Sequence, residues 1–307
     1  MQTQGMCLKK FSVILGLIGF ITACSSNGGN STASTNPASS VPQSQLAKAM
    51  ALYDQATTIC TPMNGSTPPP PVSITTGVQG ELYALQPPQF GEYTHVADYI
   101  NNGTDTGVTV FLNSINVPTR DFYEGFPAAN GQLLSFNNQV LLEWFALDLH
   151  SDLQLQATDT AGDYQFALLS DDGAIFSLQL PGSQGFTTIV NDDGTHPTTM
   201  ACATSPVTFT QGQPIPMHLQ YYQGPRYQIA LQLMWRPWPS KQSSVNDPLC
   251  GASGNYEFFD PDVEPSTPQQ NYLALLARGW LPVPAGNFVI PYEGINPCSV
   301  PDFNSAQ

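Results

Sequence analysis

Two pairs of adjacent aspartates, each followed by glycine, are the residues of this 307-residue chain best suited to chemistry. Asp171 and Asp172 precede Gly173, and a second pair precedes Gly194 within residues 191–196. Adjacent carboxylates repel one another, and burying both is unfavourable unless a cation or hydrogen-bond donors compensate their charge. Asp171 and Asp172 are therefore candidate ligands for calcium, a hard cation that takes about 6 to 8 oxygens. The alternative is that Asp-Asp-Gly is ordinary turn chemistry exposed to water.

Strand-like segments must position these aspartates. Apolar residues alternate before the first pair, at Tyr164, Phe166 and Leu168, and again after it, from Phe176 to Leu180. Alternation places one set of side chains on a buried face, so Asp-Asp-Gly is predicted to form the turn of a hairpin. The alternation over residues 228–235 predicts an antiparallel sheet with one face in solvent.

Several segments together resemble a PA14 domain in their order and spacing. They are Gly80-Glu81-Leu82-Tyr83, Glu143-Trp144-Phe145-Ala146, Gly162-Asp163-Tyr164-Gln165-Phe166, Ser170-Asp171-Asp172-Gly173, Asn191-Asp192-Asp193-Gly194-Thr195-His196, and the strand ending at Trp235. The resemblance implies an all-β fold, an antiparallel β-sandwich, over about residues 74–238. This family occurs as a module in bacterial toxins, glycosidases and yeast adhesins. In adhesins its aspartate pair binds calcium and contacts sugar, which implies the same roles for Asp171 and Asp172.

Aromatic residues supply further candidates for binding carbohydrate, because an aromatic face complements the apolar face of a sugar ring. Trp238, between two prolines, and Tyr222, at the end of a strand-like run, are the candidates for this contact. Trp144 and Trp235 fall within strand-like runs and are expected in the core. No nucleophile elbow is present, and no carboxylate pair stands out for glycoside hydrolysis. The sequence therefore predicts a binding protein and not an enzyme.

The amino terminus predicts the compartment. Lys9 and Lys10 precede a short apolar stretch, and Ile21-Thr22-Ala23-Cys24 resembles the lipobox of bacterial lipoproteins. The resemblance implies acylation of Cys24, cleavage before it, and attachment to a membrane by the lipid. A run rich in Ser, Thr, Asn, Gly and Pro follows, which is typical of a flexible tether. Ser25, by resemblance to lipoprotein sorting rules, favours the outer membrane of the cell envelope.

Cysteine usage agrees with export. Of six cysteines, Cys60, Cys202, Cys250 and Cys298 remain after the signal segment and the lipidated residue are removed. None lies in a C-x-x-C arrangement, so two disulfides are expected in an oxidising compartment. Four cysteines allow three pairings. We favour Cys250 with Cys298, which would hold the carboxy-terminal region together, and Cys60 with Cys202.

Charge excludes one class of partner. The chain has 23 acidic residues against 8 Lys and Arg, for a formal net charge of -15. Nucleic acid binding requires clustered basic residues, so it is excluded. An acidic surface rich in uncharged polar residues is typical of exported β-proteins and of surfaces that bind uncharged polymers.

The predicted organisation has five parts. They are a signal peptide (1–23), a tether (24–43), a helix and proline-rich connector (44–73), the sandwich (74–238), and a disulfide-linked appendage (239–307). In the appendage, Thr267-Pro268-Gln269-Gln270 has a capping-box pattern, and Gly279 is positioned to end the helix. The sequence thus predicts a lipid-anchored envelope protein with a carbohydrate-binding adhesion module. The alternative is a structural or protein-interaction subunit that binds no sugar.

Overall fold

The computed structural model describes residues 76–126, 135–136, 139–238 and 247–290, all within one unit spanning residues 39–307. The predicted signal peptide, tether, amino-terminal helix and proline-rich connector lie outside the described residues, as do Cys24, Cys60 and Cys298. In the described part of the chain, no helix has the length and apolar character needed to cross a membrane.

The described residues form mostly antiparallel strands with two short α-helices, which confirms the predicted all-β fold class. The strands are β1 (Val78–Ala84), β2 (Thr104–Leu112), β3 (Asn116–Asp121), β4 (Ser135–Phe136), β5 (Gln139–Val140), β6 (Phe145–Leu153), β7 (Gly162–Asp171), β8 (Ala174–Leu178), β9 (Thr187–Asp192), β10 (Thr199–Cys202), β11 (Val207–Phe209), β12 (Ile215–Gln223), β13 (Gln228–Pro237), β14 (Phe259–Asp260), β15 (Thr267–Pro268), β16 (Leu281–Pro282) and β17 (Phe288–Val289). The helices are α1 (Val96–Asn102) and α2 (Gln270–Ala277).

Two sheets pack face to face to form the sandwich. The first has the order β2-β1-β6-β12-β8-β9, with β17 also pairing β6. The second has the order β10-β7-β13-β16, with β11 pairing β7 and β3 pairing β13. Alternate side chains from both sheets meet in the main core, among them Leu149 and Leu219 from the first and Phe166 and Leu233 from the second. Full burial of each such side chain is worth roughly 1.5 to 3 kcal/mol before conformational entropy is counted.

The prediction that Asp-Asp-Gly turns a hairpin is wrong. Strand β7 belongs to the second sheet and β8 to the first, and the two do not pair with each other. Residues 172–173, directly after Asp171 at the end of β7, therefore carry the chain from one sheet to the other. Alternation could not distinguish the two cases, because a hairpin turn and a crossover both interrupt a strand pattern in the same way.

The carboxy-terminal segment covers the outer face of the second sheet. Ala167, Leu169, Met200 and Met234 on that face share a buried cluster with Phe258, Phe259, Tyr272, Leu275, Leu276 and Trp280 of the segment. Strand β13 is consequently buried on both faces up to Arg236, so the predicted solvent-facing side of this strand is wrong. The described part of this segment, residues 247–290, folds against the sandwich.

A buried charge cluster fastens this appendage. The side chain of Asp247 is fully buried and accepts hydrogen bonds from both Arg278 and Trp280. Arg236, from β13, lies 3.3 Å from the same carboxylate and stacks on the Trp280 ring at 4.6 Å. These contacts hold the pKa of Asp247 below its usual value, because hydrogen bonds and nearby positive charge outweigh the opposing effect of burial.

Both predicted disulfide pairings are wrong. Cys202, at the end of β10, is bonded to Cys250 in the appendage, with an S–S distance of 2.02 Å. The appendage passes along the edge of the second sheet here, and the Thr199–Ser253 bridge brings the two cysteines together. Sequence separation alone gave no means of selecting this pairing.

The helix of the appendage begins later than its capping-box pattern predicts. Helix α2 starts at Gln270 with Gln269 as its N-cap residue, and no side chain caps it. Thr267 and Pro268 instead form β15, which pairs with β14. The predicted end is confirmed, since Gly279 adopts a φ of 87° and its N–H donates to the Leu276 carbonyl.

Candidate functional site at the crossover end

Three sheet-to-sheet crossovers meet at one end of the sandwich. Residues 172–173 link β7 to β8, residues 193–198 link β9 to β10, and residues 224–227 link β12 to β13. Each pair of strands lies in different sheets, and all three connections leave from the same end. We call this region the crossover end; it also contains α1 and the loops before β6 and after β3.

The Asp172 carboxylate joins the three crossovers. Its Oδ1 accepts the backbone N–H of His196 at 3.2 Å, and its Oδ2 accepts the backbone N–H of Gly224 at 2.7 Å. Burial raises the pKa of Asp172 to about 6, although these two hydrogen bonds oppose the shift. Asp172 is only 2% exposed, so the alternative of a turn exposed to water is wrong for this residue.

Asp171 is also buried and is the more strongly perturbed of the two. Its Oδ2 accepts a long hydrogen bond of 3.4 Å from the Thr198 hydroxyl, while Tyr221 donates its hydroxyl hydrogen to the Asp171 carbonyl. Burial, together with repulsion from Asp172, raises the pKa of Asp171 to about 8. The surrounding protein therefore does not fully compensate two adjacent negative charges.

The second aspartate pair, Asp192 and Asp193, contacts other groups than the first pair does. Burial raises the pKa of Asp192 to about 6, and its Oδ2 accepts a hydrogen bond from Ser170. Asp193 accepts the backbone N–H of Val96, at the start of α1, and its other oxygen lies 3.1 Å from the His95 ring. The Nε2 atom of His196 lies 2.9 Å from the Asp192 carbonyl oxygen, consistent with a loop histidine that forms hydrogen bonds.

The Tyr222 side chain packs against the crossovers beside the aspartates. Its side chain is fully buried, stacks on Tyr99 with ring centroids 4.4 Å apart, and donates to the Thr94 carbonyl. The sequence predicts that Tyr222 contacts sugar from the outer face of the first sheet, but helix α1 covers that face. Gly173 is required here, because a Cβ would lie 2.5 Å from the Tyr222 ring and 2.7 Å from the Gly194 nitrogen.

Trp238 does not join this site. It follows β13 at the opposite end of the sandwich, where its backbone N–H donates to the Asp163 carbonyl. Asp163 and Asp171 are eight residues apart on β7, which is roughly 26 Å along an extended strand. Trp235 is buried in the core as predicted, whereas Trp144 is only partly buried at the crossover end.

Sequence reasoning missed the exposed aromatics of the crossover end. Tyr227 is 71% exposed and is the last residue of the third crossover. Beside it, Arg226 pairs with Glu143 and lies over the Phe122 ring. Phe90, also exposed, stacks on Trp144 at 5.4 Å. Tyr227 lies two residues after the turn-forming sequence Gln223-Gly224-Pro225 and could have been singled out, but Phe90 and Trp144 are 54 residues apart and no local pattern links them.

The donor set of the aspartate pair fits a hard cation. Asp171 and Asp172 supply carboxylate oxygens in a water-poor setting, and their raised pKa values show that positive charge would stabilise them. Calcium takes about 6 to 8 oxygens, so carbonyls, water or a ligand must supply the remainder. Within the described residues, Asp171 and Asp172 have no third carboxylate, His or Cys arranged with them for metal binding.

Comparisons with known proteins give similarities of fold to PA14 domains. No protein-family model and no curated protein matches the chain. Among solved structures, it is similar to the PA14 sugar-binding domain of an RTX adhesin, at 21% identity and a TM-score of 0.38, over 53% of this chain and 90% of that one. It is also similar to the PA14 domain of the antifreeze protein MpAFP, at 13% identity and a TM-score of 0.41, over 58% and 90%.

A third similar structure is the Epithelial Adhesin 6 A domain from Candida glabrata, solved in complex with Galβ1-3GlcNAc. It shares 13% identity and a TM-score of 0.36, over 64% of this chain and 91% of that one. At TM-scores this low, the similarities carry no functional conclusion, which must come from the site itself.

Proposed function

We propose that the crossover end binds glycan with the help of a calcium ion at Asp171 and Asp172. The chain would present this module from the outer membrane of the cell envelope, through a lipid on Cys24. The observation that carries the proposal is the buried aspartate pair at the junction of three crossovers, whose charges lack full compensation. Calcium would stabilise both carboxylates as anions and offer coordination positions that sugar hydroxyls can fill.

The surroundings of the pair support a sugar ligand. Tyr227 offers an exposed ring for the apolar face of a sugar, and the Arg226 guanidinium, also exposed, can donate to hydroxyls. A cleft of about 500 Å³ lies at the other end of the sandwich. Its lining residues, at 179–183 and around 208–216, include no charged side chain.

A glycan array probed with the mature protein, with and without a calcium chelator, tests the proposal. We expect binding that the chelator abolishes and that Asp171→Asn combined with Asp172→Asn also abolishes. Tyr227→Ala should weaken binding by roughly 0.5 to 1.5 kcal/mol, or about 2- to 12-fold. Trp238→Ala, at the opposite end, is the control and should bind like the parent.

Each outcome bears on a different part of the proposal. Glycan binding that survives both the chelator and the aspartate substitutions would refute calcium while leaving sugar binding intact. Equal losses from Tyr227→Ala and Trp238→Ala would remove the assignment to the crossover end. No binding to any glycan would refute the carbohydrate function and favour the protein-interaction alternative.

A further inference from the structure

Two histidines and an aspartate converge on the outer face of the first sheet, away from the crossover end. Asp148 and His150 are two residues apart on β6 and therefore project from the same face. On the neighbouring strand β12, His218 is directly opposite His150, and Gln220 is directly opposite Asp148. Two central strands of the sheet thus place four polar side chains together at fixed positions.

The ligand atoms of the three ionisable residues are close enough to share one ion. One ring nitrogen or carboxylate oxygen from each of Asp148, His150 and His218 lies within 4.8 Å of the others. The two imidazole rings are nearly parallel, with centroids 4.4 Å apart and an interplanar angle of 6°. Both Nε2 atoms approach the same oxygen, Oδ1 of Asp148, and the one from His150 does so at 3.3 Å.

One of these separations already suits a tetrahedral metal. Two atoms that are each about 2.1 Å from a zinc ion, at the tetrahedral angle, lie about 3.4 Å apart. The separation of His150 Nε2 and Asp148 Oδ1 matches this value, whereas the closer contact of His218 with Asp148 would have to open on binding. Two imidazoles and a carboxylate are donors that zinc and similar divalent transition metals prefer, while calcium and magnesium prefer oxygen.

Neighbouring groups hold the ligands and leave one side open. Gln220 donates to the second oxygen of Asp148 at 3.3 Å, which orients the carboxylate. The Phe186 ring lies 5.5 Å from the His218 ring. Glu81, on the adjacent strand β1 and directly opposite Asp148, adds negative charge beside the cluster. The His150 side chain is 50% exposed, so water can reach a fourth coordination position.

We propose that Asp148, His150 and His218 form a binding site for one divalent transition metal ion of the zinc type, with three protein ligands and one position open to solvent. This site is separate from the aspartate pair at the crossover end and independent of glycan binding. Without metal, the same three side chains form a hydrogen-bonded cluster in which Asp148 accepts from both imidazoles. A direct metal measurement distinguishes the two descriptions.

The test is titration of zinc into chelator-treated, dialysed mature protein by isothermal calorimetry, with cobalt absorption as a second readout. We expect one zinc per chain, and intense visible bands from cobalt in a tetrahedral site. His150→Ala and His218→Ala should each weaken zinc binding at least 10-fold, and their combination should abolish it. Gln220→Ala, which removes only the orienting hydrogen bond, should weaken it roughly 10-fold.

The chain offers a matched control in His95, which is exposed and lies 3.1 Å from Asp193 in another histidine–aspartate pair. His95→Ala should leave zinc binding unchanged, as should Asp171→Asn. Asp148→Asn, which preserves shape, guards against misfolding of the alanine variants, and melting temperatures establish that each variant is folded. Absence of saturable zinc binding in the parent would overturn the proposal. Zinc binding that persists in the folded double histidine variant, or that is lost in His95→Ala, would also overturn it.

Discussion

The raised pKa of Asp171 predicts that the metal-free protein loses stability as pH rises. The folded-state pKa is about 8, against 3.8 for an unperturbed aspartate, so the folded state retains a proton that the unfolded state has released. This contribution to stability is present in full below about pH 4 and is lost as pH rises through about 8. Asp172 and Asp192 act in the same direction, but mainly below about pH 6.

Between pH 6 and pH 8, the change in stability from these three aspartates therefore comes mainly from Asp171. One proton is worth about 1.4 kcal/mol per pH unit, so roughly 2 to 3 kcal/mol should be lost across it. For a domain of this size, that corresponds to a fall in melting temperature of roughly 4 to 12 °C. Asp171→Asn should remove this slope, because the amide has the same shape and does not titrate.

Scanning calorimetry in the presence of chelator at pH 6, 7 and 8 measures the pH dependence of stability for the parent and for Asp171→Asn. The variant also corrects for pH-dependent contributions that are common to both proteins. Addition of calcium should raise the melting temperature of the parent at pH 8, and not that of the variant, if the proposed cation site is right. A parent whose stability is constant from pH 6 to pH 8, or a variant with the same slope, would refute the reasoning from burial.

Three further predictions follow from the described contacts and the sequence. Asp247→Asn should cost about 3 kcal/mol, because it leaves the buried Arg236 and the partly buried Arg278 without their counter-ion, while the exposed Asp262→Asn should be neutral; thermal melts compare the two. Non-reducing peptide mapping should recover a Cys202–Cys250 linkage, and reduction should lower stability by about 4 kcal/mol for a separation of 48 residues; a linkage of either cysteine to another partner would contradict the structure. Cys24→Ser should release the protein from membranes, and a variant that still fractionates with the outer membrane would disprove the lipid anchor.

The elements of the sandwich could be predicted because strand periodicity is a local property of the chain. The alternation around Phe166 and in β13 identified strands and their core-facing side chains, including Trp235. Sequence could not show which strands pair, because pairing depends on residues far apart in the chain. For this reason the turn at Asp171 and Asp172 was misread as a hairpin, and the Cys202–Cys250 bond was missed.

The candidate site divides in the same way. The adjacency of Asp171 and Asp172 beside a glycine is visible in the sequence, and their mutual repulsion follows from this adjacency. Their burial, the hydrogen bonds of Asp172 to two other crossovers, and the position of Trp238 at the far end of the sandwich depend on the three-dimensional fold.

The cluster on the first sheet is the clearest case of tertiary control. The sequence contains Asp148-Leu149-His150 on a strand and His218 about 70 residues later, and nothing local relates them. The pairing of β6 with β12 brings His150 opposite His218, and a register shift of one residue would turn one of them into the core. Local sequence determined which side chains project from the same face of a strand, because the side-chain period of a strand is two. The three-dimensional register decided which of them meet, because it is set by the packing of the whole sheet.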